Sequence, residues 1–116
     1  MKLSAVLRAA CAFAIVTSLT IEPANAAVVG NNIGLIVRLG TYADYGNGDV
    51  GVWVQTPWSN CDGFWFRTTE ANGKEIYAQL LSAQLAQKPM YIYAHEELLW
   101  SGTSSHFCKI SLVMNP

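Results

Sequence analysis

Positive charge is scarce in this chain, and that absence excludes a role on nucleic acid. Only 13% of its 116 residues are charged, and the formal net charge is −1. A nucleic-acid surface needs a stripe of lysine and arginine to displace counterions. Phosphate-cradling loops are lacking too: no Gly-x-Gly-x-x-Gly and no Walker motif appears. His95 and His106 fall in different segments, outside any His-Glu-x-x-His pattern. Ser101, Ser104 and Ser105 have no Gly-x-Ser-x-Gly context. Glu96 and Glu97 adjoin one another, and a glycosidase-type acid pair would need its second carboxylate from Asp44, Asp49 or Asp62, with nothing to select one. The Asp44–Asp49 stretch lacks the alternating oxygens and closing glutamate of a calcium loop. No catalytic residue, metal site or cofactor is therefore expected.

Long apolar runs are also missing. The longest, Ala9 to Leu19, is well short of the roughly 20 residues that cross a bilayer as a helix. Lys2 and Arg8 precede it, and Ala24-Asn25-Ala26 follows as a small-x-small cleavage site. That order is a secretory signal, so residues 1–26 are expected to be removed and 27–116 to form one secreted or periplasmic domain. The domain carries five basic residues against seven acidic ones, about −2. Cys11 leaves with the leader. Cys61 and Cys108 remain, and an even pair in an exported chain reads as one structural disulfide.

What the chain has in quantity is aromatic side chains: twelve of the thirteen lie beyond the leader. Alternating residues mark the strands. Ile33–Tyr42 reads as the first, with Ile33, Leu35, Val37 and Leu39 inward and Gly34, Gly40 and Arg38 on the other face. Asp44–Asp49 is a turn, since glycine and asparagine tolerate positive φ. Val50–Thr56 is the second strand, paired with the first as a hairpin, with Val50, Val52 and Val54 inward. Phe64–Thr68 is the third, with Phe64 and Phe66 opposite Trp65 and Arg67.

From Asn72 the period lengthens. Asn72 and Glu75 have capping-box spacing, and Ile76, Tyr77, Leu80, Leu81, Gln84 and Leu85 recur at helical spacing until Lys88-Pro89. Met90, Ile92 and Ala94 then alternate with Tyr91, Tyr93 and His95 in a fourth strand. His95–Ser105 reads as a loop, and His106–Met114 as a fifth strand with Cys108, Ile110, Leu112 and Met114 on one face.

The result is a mainly β domain with one helix, in the order β-β-β-α-β-β, which is the order of a five-stranded OB-fold-like barrel. Trp53, Trp65, Tyr91 and Tyr93 have outward parity, so they lie under the helix, against another subunit, or under a ligand. Ile76 to Tyr93, ending Lys88-Pro89-Met90-Tyr91-Ile92-Tyr93, resembles the helix and following strand of the subtilase-cytotoxin B subunit. The typhoid-toxin and pertussis-like toxin B subunits belong to the same family. Gly34-Leu35-Ile36-Val37 and the late Cys108 fit that layout. The resemblance implies a ring-forming homopentamer that binds cell-surface glycans and carries a catalytic A subunit. Such subunits hold the sugar with a serine early in the first strand and a tyrosine late in the fourth. Ile33 and Ala94 stand there in this chain. The expected glycan contacts are the loop residues Tyr42, Asp44, Tyr45 and Trp58, because sugars stack on rings and bond to carboxylates. The alternative is a secreted or periplasmic protein-interaction module, an inhibitor or assembly factor, with no sugar site.

Overall fold

The computed structural model describes residues 28–57 and 60–116, with side chains from Ile33 onward, so the leader lies outside the described residues. Six strands and one helix follow in order: β1 (Val28–Gly34), β2 (Ile36–Thr41), β3 (Asp49–Val54), β4 (Gly63–Arg67), α1 (Gly73–Ala86), β5 (Met90–Leu99) and β6 (Phe107–Met114). They form one sheet in the spatial order β1-β5-β6-β4-β3-β2. Its two edge strands, β1 and β2, are halves of a single stretch interrupted at Leu35. The sheet therefore nearly closes on itself. All pairings are antiparallel except β4 with β6. This is the five-stranded OB-fold-like barrel, with its first strand bent in two and its helix between the third and fourth strands of the barrel.

Inside the barrel, Val50, Val52, Phe64, Leu80, Met90 and Ile92 are wholly buried, and Val54, Phe66, Ala94 and Ile110 complete the packing. Strict alternation on β3, β4 and the first half of β5 puts these residues inside, as the sequence pattern predicts. On the first and last strands that pattern fails because each contains a β-bulge. In β2 the register with β3 slips between Ile36 and Arg38, so Val37 is the extra residue. Ile36 enters the core, Val37 is 54% exposed, and Ile33 is exposed as well. In β6 the slip spans Ser111, since Tyr93 pairs with Leu112 while Ala94 pairs with Ile110. Val113 therefore takes the core position expected of Leu112, and Leu112 and Met114 face outward. An inserted residue reverses the face of everything beyond it.

Two more expectations change. β5 runs on to Leu99 through residues whose polarity suggests a loop; it bulges after His95 and regains β6 at Leu99 opposite Cys108. The Asn72 side chain makes no capping bond; the residue sits in the left-handed region at φ 63°, and its carbonyl accepts the Ile76 N–H. The helix buries Leu80 and Ala83, with Ile76 and Tyr77 packed at the margin, while Leu85 at the end of the expected stripe is 77% exposed.

The disulfide forms: Cys61 and Cys108, both fully buried, are bonded with their Cα atoms 5.7 Å apart. Gly73, the first residue of α1, lies hard against the end of β4. A Cβ there would overlap the Arg67 carbonyl oxygen and come within 2.7 Å of the Thr68 Cα. Backbone cannot yield as a side-chain tip can, so Gly73→Ala is expected to cost about 2 kcal/mol, read as a lower urea midpoint with an unchanged slope.

Candidate aromatic binding site

On the outside of β2, β3, β4 and β6 a second apolar cluster lies across the sheet. Trp65, Trp100 and Phe107 are buried in it, and Trp53 packs at its edge. Three strand glycines make room for it. A Cβ at Gly51 would come within 2.6 Å of Trp100 and 2.9 Å of Trp53; at Gly40, within 3.1 Å of Trp53; at Gly63, within 2.6 Å of Phe107. Gly40 and Gly51 are paired across β2 and β3, so the sheet offers the rings a flat strip of backbone. Trp53 meets Phe107 edge-on at 5.1 Å between centroids and Trp100 at 6.4 Å.

Trp100, from the β5–β6 loop, is the centre of this arrangement. Its Nε1 donates to Asp49 Oδ2 at 3.0 Å, and Asp49 Oδ1 accepts from Arg67 Nε at 2.8 Å. Asp49 opens β3 opposite Arg67 at the end of β4, and is 2% exposed. A buried carboxylate needs such partners. Trp65 is fixed by its Nε1 bond to the Leu98 carbonyl, 2.9 Å, with Arg67 and Lys109 5.2 and 5.3 Å from its ring centroid. Arg38, exposed on the edge strand β2, approaches Trp53 in the same way at 5.7 Å.

Two of the four expected contact residues converge here. Tyr42 lies 5.8 Å from Trp100 and 5.3 Å from Tyr45 between ring centroids. Both tyrosines stay about half exposed, and both tie the β2–β3 turn to the β5–β6 loop: Tyr42 Oη donates to the Gly102 carbonyl at 2.7 Å, and Tyr45 Oη bonds Ser101 Oγ at 2.9 Å. Asp44 is exposed in the same turn. Trp58 lies outside the described residues. Gly40, Thr41, Tyr42, Trp53 and Trp100 line a cleft of about 160 Å³.

No family model, curated protein or solved structure matches the chain.

Three of the carboxylates have neighbouring groups beside them. Glu96 accepts from Asn60 Nδ2 at 3.0 Å, Asp62 accepts the His106 N–H at 3.0 Å, and Glu97 stands 3.9 Å from His95 Nδ1. Residue patterns miss Trp100, Phe107 and Asp49 as members of the site. A signal for them exists in the outward glycines of the strands, because a flat backbone strip beside surplus indoles is where rings lie down.

Proposed function

We propose that this chain is a non-catalytic binding subunit of a secreted complex, working as the toxin B subunits it resembles work. It recognises a host cell-surface glycan and carries a partner. The observation that supports the reading is the Tyr42–Trp53–Trp100 cleft at the loop end of an OB-fold-like barrel. Aromatic faces stack on the C–H faces of a sugar, and Thr41 supplies a hydroxyl beside them. Because the Tyr42 and Tyr45 hydroxyls already hold the opposite loop, the rings rather than the hydroxyls are the contact.

The outer faces of β1, β5 and β6 support the second half of the proposal. Ile33, Leu112 and Met114 are exposed there, and Tyr91 and Tyr93 are half-buried between them. Cross-strand pairing sets Ile33, Tyr91 and Met114 in one row and Tyr93 beside Leu112 in the next. An uncharged row of this kind suits a further copy of the chain, in a homopentameric ring, or a catalytic A subunit. It equally supports the alternative, a protein-interaction module with no sugar site. Among the described residues, no helix is long and apolar enough to cross a membrane.

A glycan array with the oxidised mature protein, read beside its native mass, tests the proposal. Binding is expected from a five-fold assembly. Tyr42→Ala should weaken it about tenfold or more, a loss of at least 1.4 kcal/mol, while Tyr42→Phe retains most of it. Both variants lose the Gly102 bond, so the difference isolates the ring. A folded protein that binds nothing on the array removes the glycan reading, and a monomer bound to one protein partner favours the alternative.

A further inference from the structure

A second cleft lies at the other end of β2, where the Val37 bulge meets the C-terminal end of α1. It measures about 500 Å³ and is lined by Leu35, Ile36, Val37, Gln55, Gln84 and Gln87. We propose that this cleft is a second binding site, for a neutral polyhydroxylated ligand such as an uncharged sugar unit. Its size falls within the range of small-molecule sites.

The lining selects the chemistry. None of the six residues is charged, and three carry carboxamides, each with two donors and an acceptor oxygen. A sugar hydroxyl both donates and accepts, so it matches a carboxamide in either orientation. An apolar ligand would strip water from three amides without replacing its bonds. An anion would face the negative end of the helix dipole with no cation in the lining. No basic residue occupies the last turn of α1, and Lys88, just beyond it, lines a different groove.

The carboxamides are also positioned. Gln84 Nε2 reaches back to the Val37 carbonyl at 3.3 Å, which fixes its amide at the cleft wall. Gln55 N donates to the Leu35 carbonyl at 2.9 Å, holding the opposite wall to the bend between β1 and β2. Gln87 closes the helix in the left-handed region at φ 53°, its N–H satisfied by Ala83 and Gln84. The bulge turns Val37 outward, and its exposed methyls offer a surface for the C–H face of a ring. Along β2 the nearest lining residues of the two clefts, Val37 and Gly40, are three positions apart, roughly 10 Å, and the clefts share no lining residue, so the proposal does not rest on the first.

The test is a titration of isotope-labelled, oxidised protein, followed by NMR at the side-chain amides of Gln55, Gln84 and Gln87 and the backbone amide of Val37. The probes are methyl galactoside, methyl mannoside, N-acetylglucosamine and, as the acidic arm, N-acetylneuraminate, all at millimolar concentration. At least one neutral sugar is expected to move these signals saturably, while N-acetylneuraminate leaves them in place. Gln55→Leu and Gln87→Gly should each weaken that response about tenfold. Glycine accepts the left-handed backbone, so the second variant keeps the helix end intact. Tyr42→Ala should leave the response unchanged. No saturable shift with any neutral sugar overturns the proposal, as does an equal response to the acid. Shifts confined to Tyr42, Trp53 and Trp100 overturn it too, while leaving the aromatic cleft's role standing.

Discussion

Replacing Cys61 and Cys108 together with alanine is expected to remove roughly 4 kcal/mol of stability, the chain-entropy value for a loop of this length. The two residues are 47 apart in sequence. For a domain of this size the same loss lowers the melting temperature by roughly 20 °C, a large share of a total of about 5–15 kcal/mol. The position of the bond explains why the effect should be near the full entropic value. It joins the approach to β4 with the start of β6, the barrel's single parallel pair among the described strands. Parallel neighbours cannot be joined by a tight turn. Here the chain passes through all of α1 and β5 before it returns, and the covalent link takes that search out of the unfolded ensemble. Around it, Asp62 N donates to the His106 carbonyl and Asp62 Oδ2 accepts the His106 N–H, so the native geometry is already held. Alanine is the right replacement, because serine would bury two hydroxyls at sites with no exposure. Equal denaturation midpoints for the oxidised parent and the double variant would show that the bond does not constrain the fold.

How far the sequence discloses this structure depends on whether alternation is interrupted. Phe64 and Phe66, and Met90, Ile92 and Ala94, are legible because nothing is inserted between them and their partners hold one register. Val37 and Ser111 are not. Each is a residue with ordinary strand chemistry, and only the neighbouring strand reveals that it is the extra one. The wrong face for Val37 and Leu112 follows from that alone. The tail of β5 is hidden for another reason: His95-Glu96-Glu97 has loop composition, and its strand character comes from β6 recapturing the chain at Leu99.

The aromatic site divides along the same line. Tyr42 and Tyr45 announce themselves, as rings in a glycine-rich turn that no core can absorb. Trp100 does not, since what fixes it is a carboxylate 51 residues earlier. Gly40 and Gly51 are a partial clue. Their value lies in being paired with one another, a fact of register rather than of composition.

Asp49→Ala is expected to cost about 3 kcal/mol and to loosen the aromatic face as a unit. Most of the loss comes from one donor. Trp100 is 4% exposed, and without Asp49 its N–H has no acceptor, a penalty of about 1–3 kcal/mol. Arg67, with 38% of its side chain exposed, can turn to water and adds less. Asp49→Asn separates the two contributions. One amide oxygen can accept from Trp100 or from Arg67 but not well from both, and the amide NH₂ then faces the remaining donor. It should fall between the parent and alanine. The consequence for recognition follows from the geometry: Trp100 underlies Tyr42 and forms a wall of the cleft, so an unpinned indole changes the ring pair on which a sugar would stack. Chemical denaturation checks the energy, and the near-ultraviolet circular dichroism of the tryptophans checks the packing. If Asp49→Ala matched the parent in both, the carboxylate would not be what holds Trp100 on the sheet, and the cleft would owe its shape to the glycine strip and the Tyr42–Gly102 bond instead.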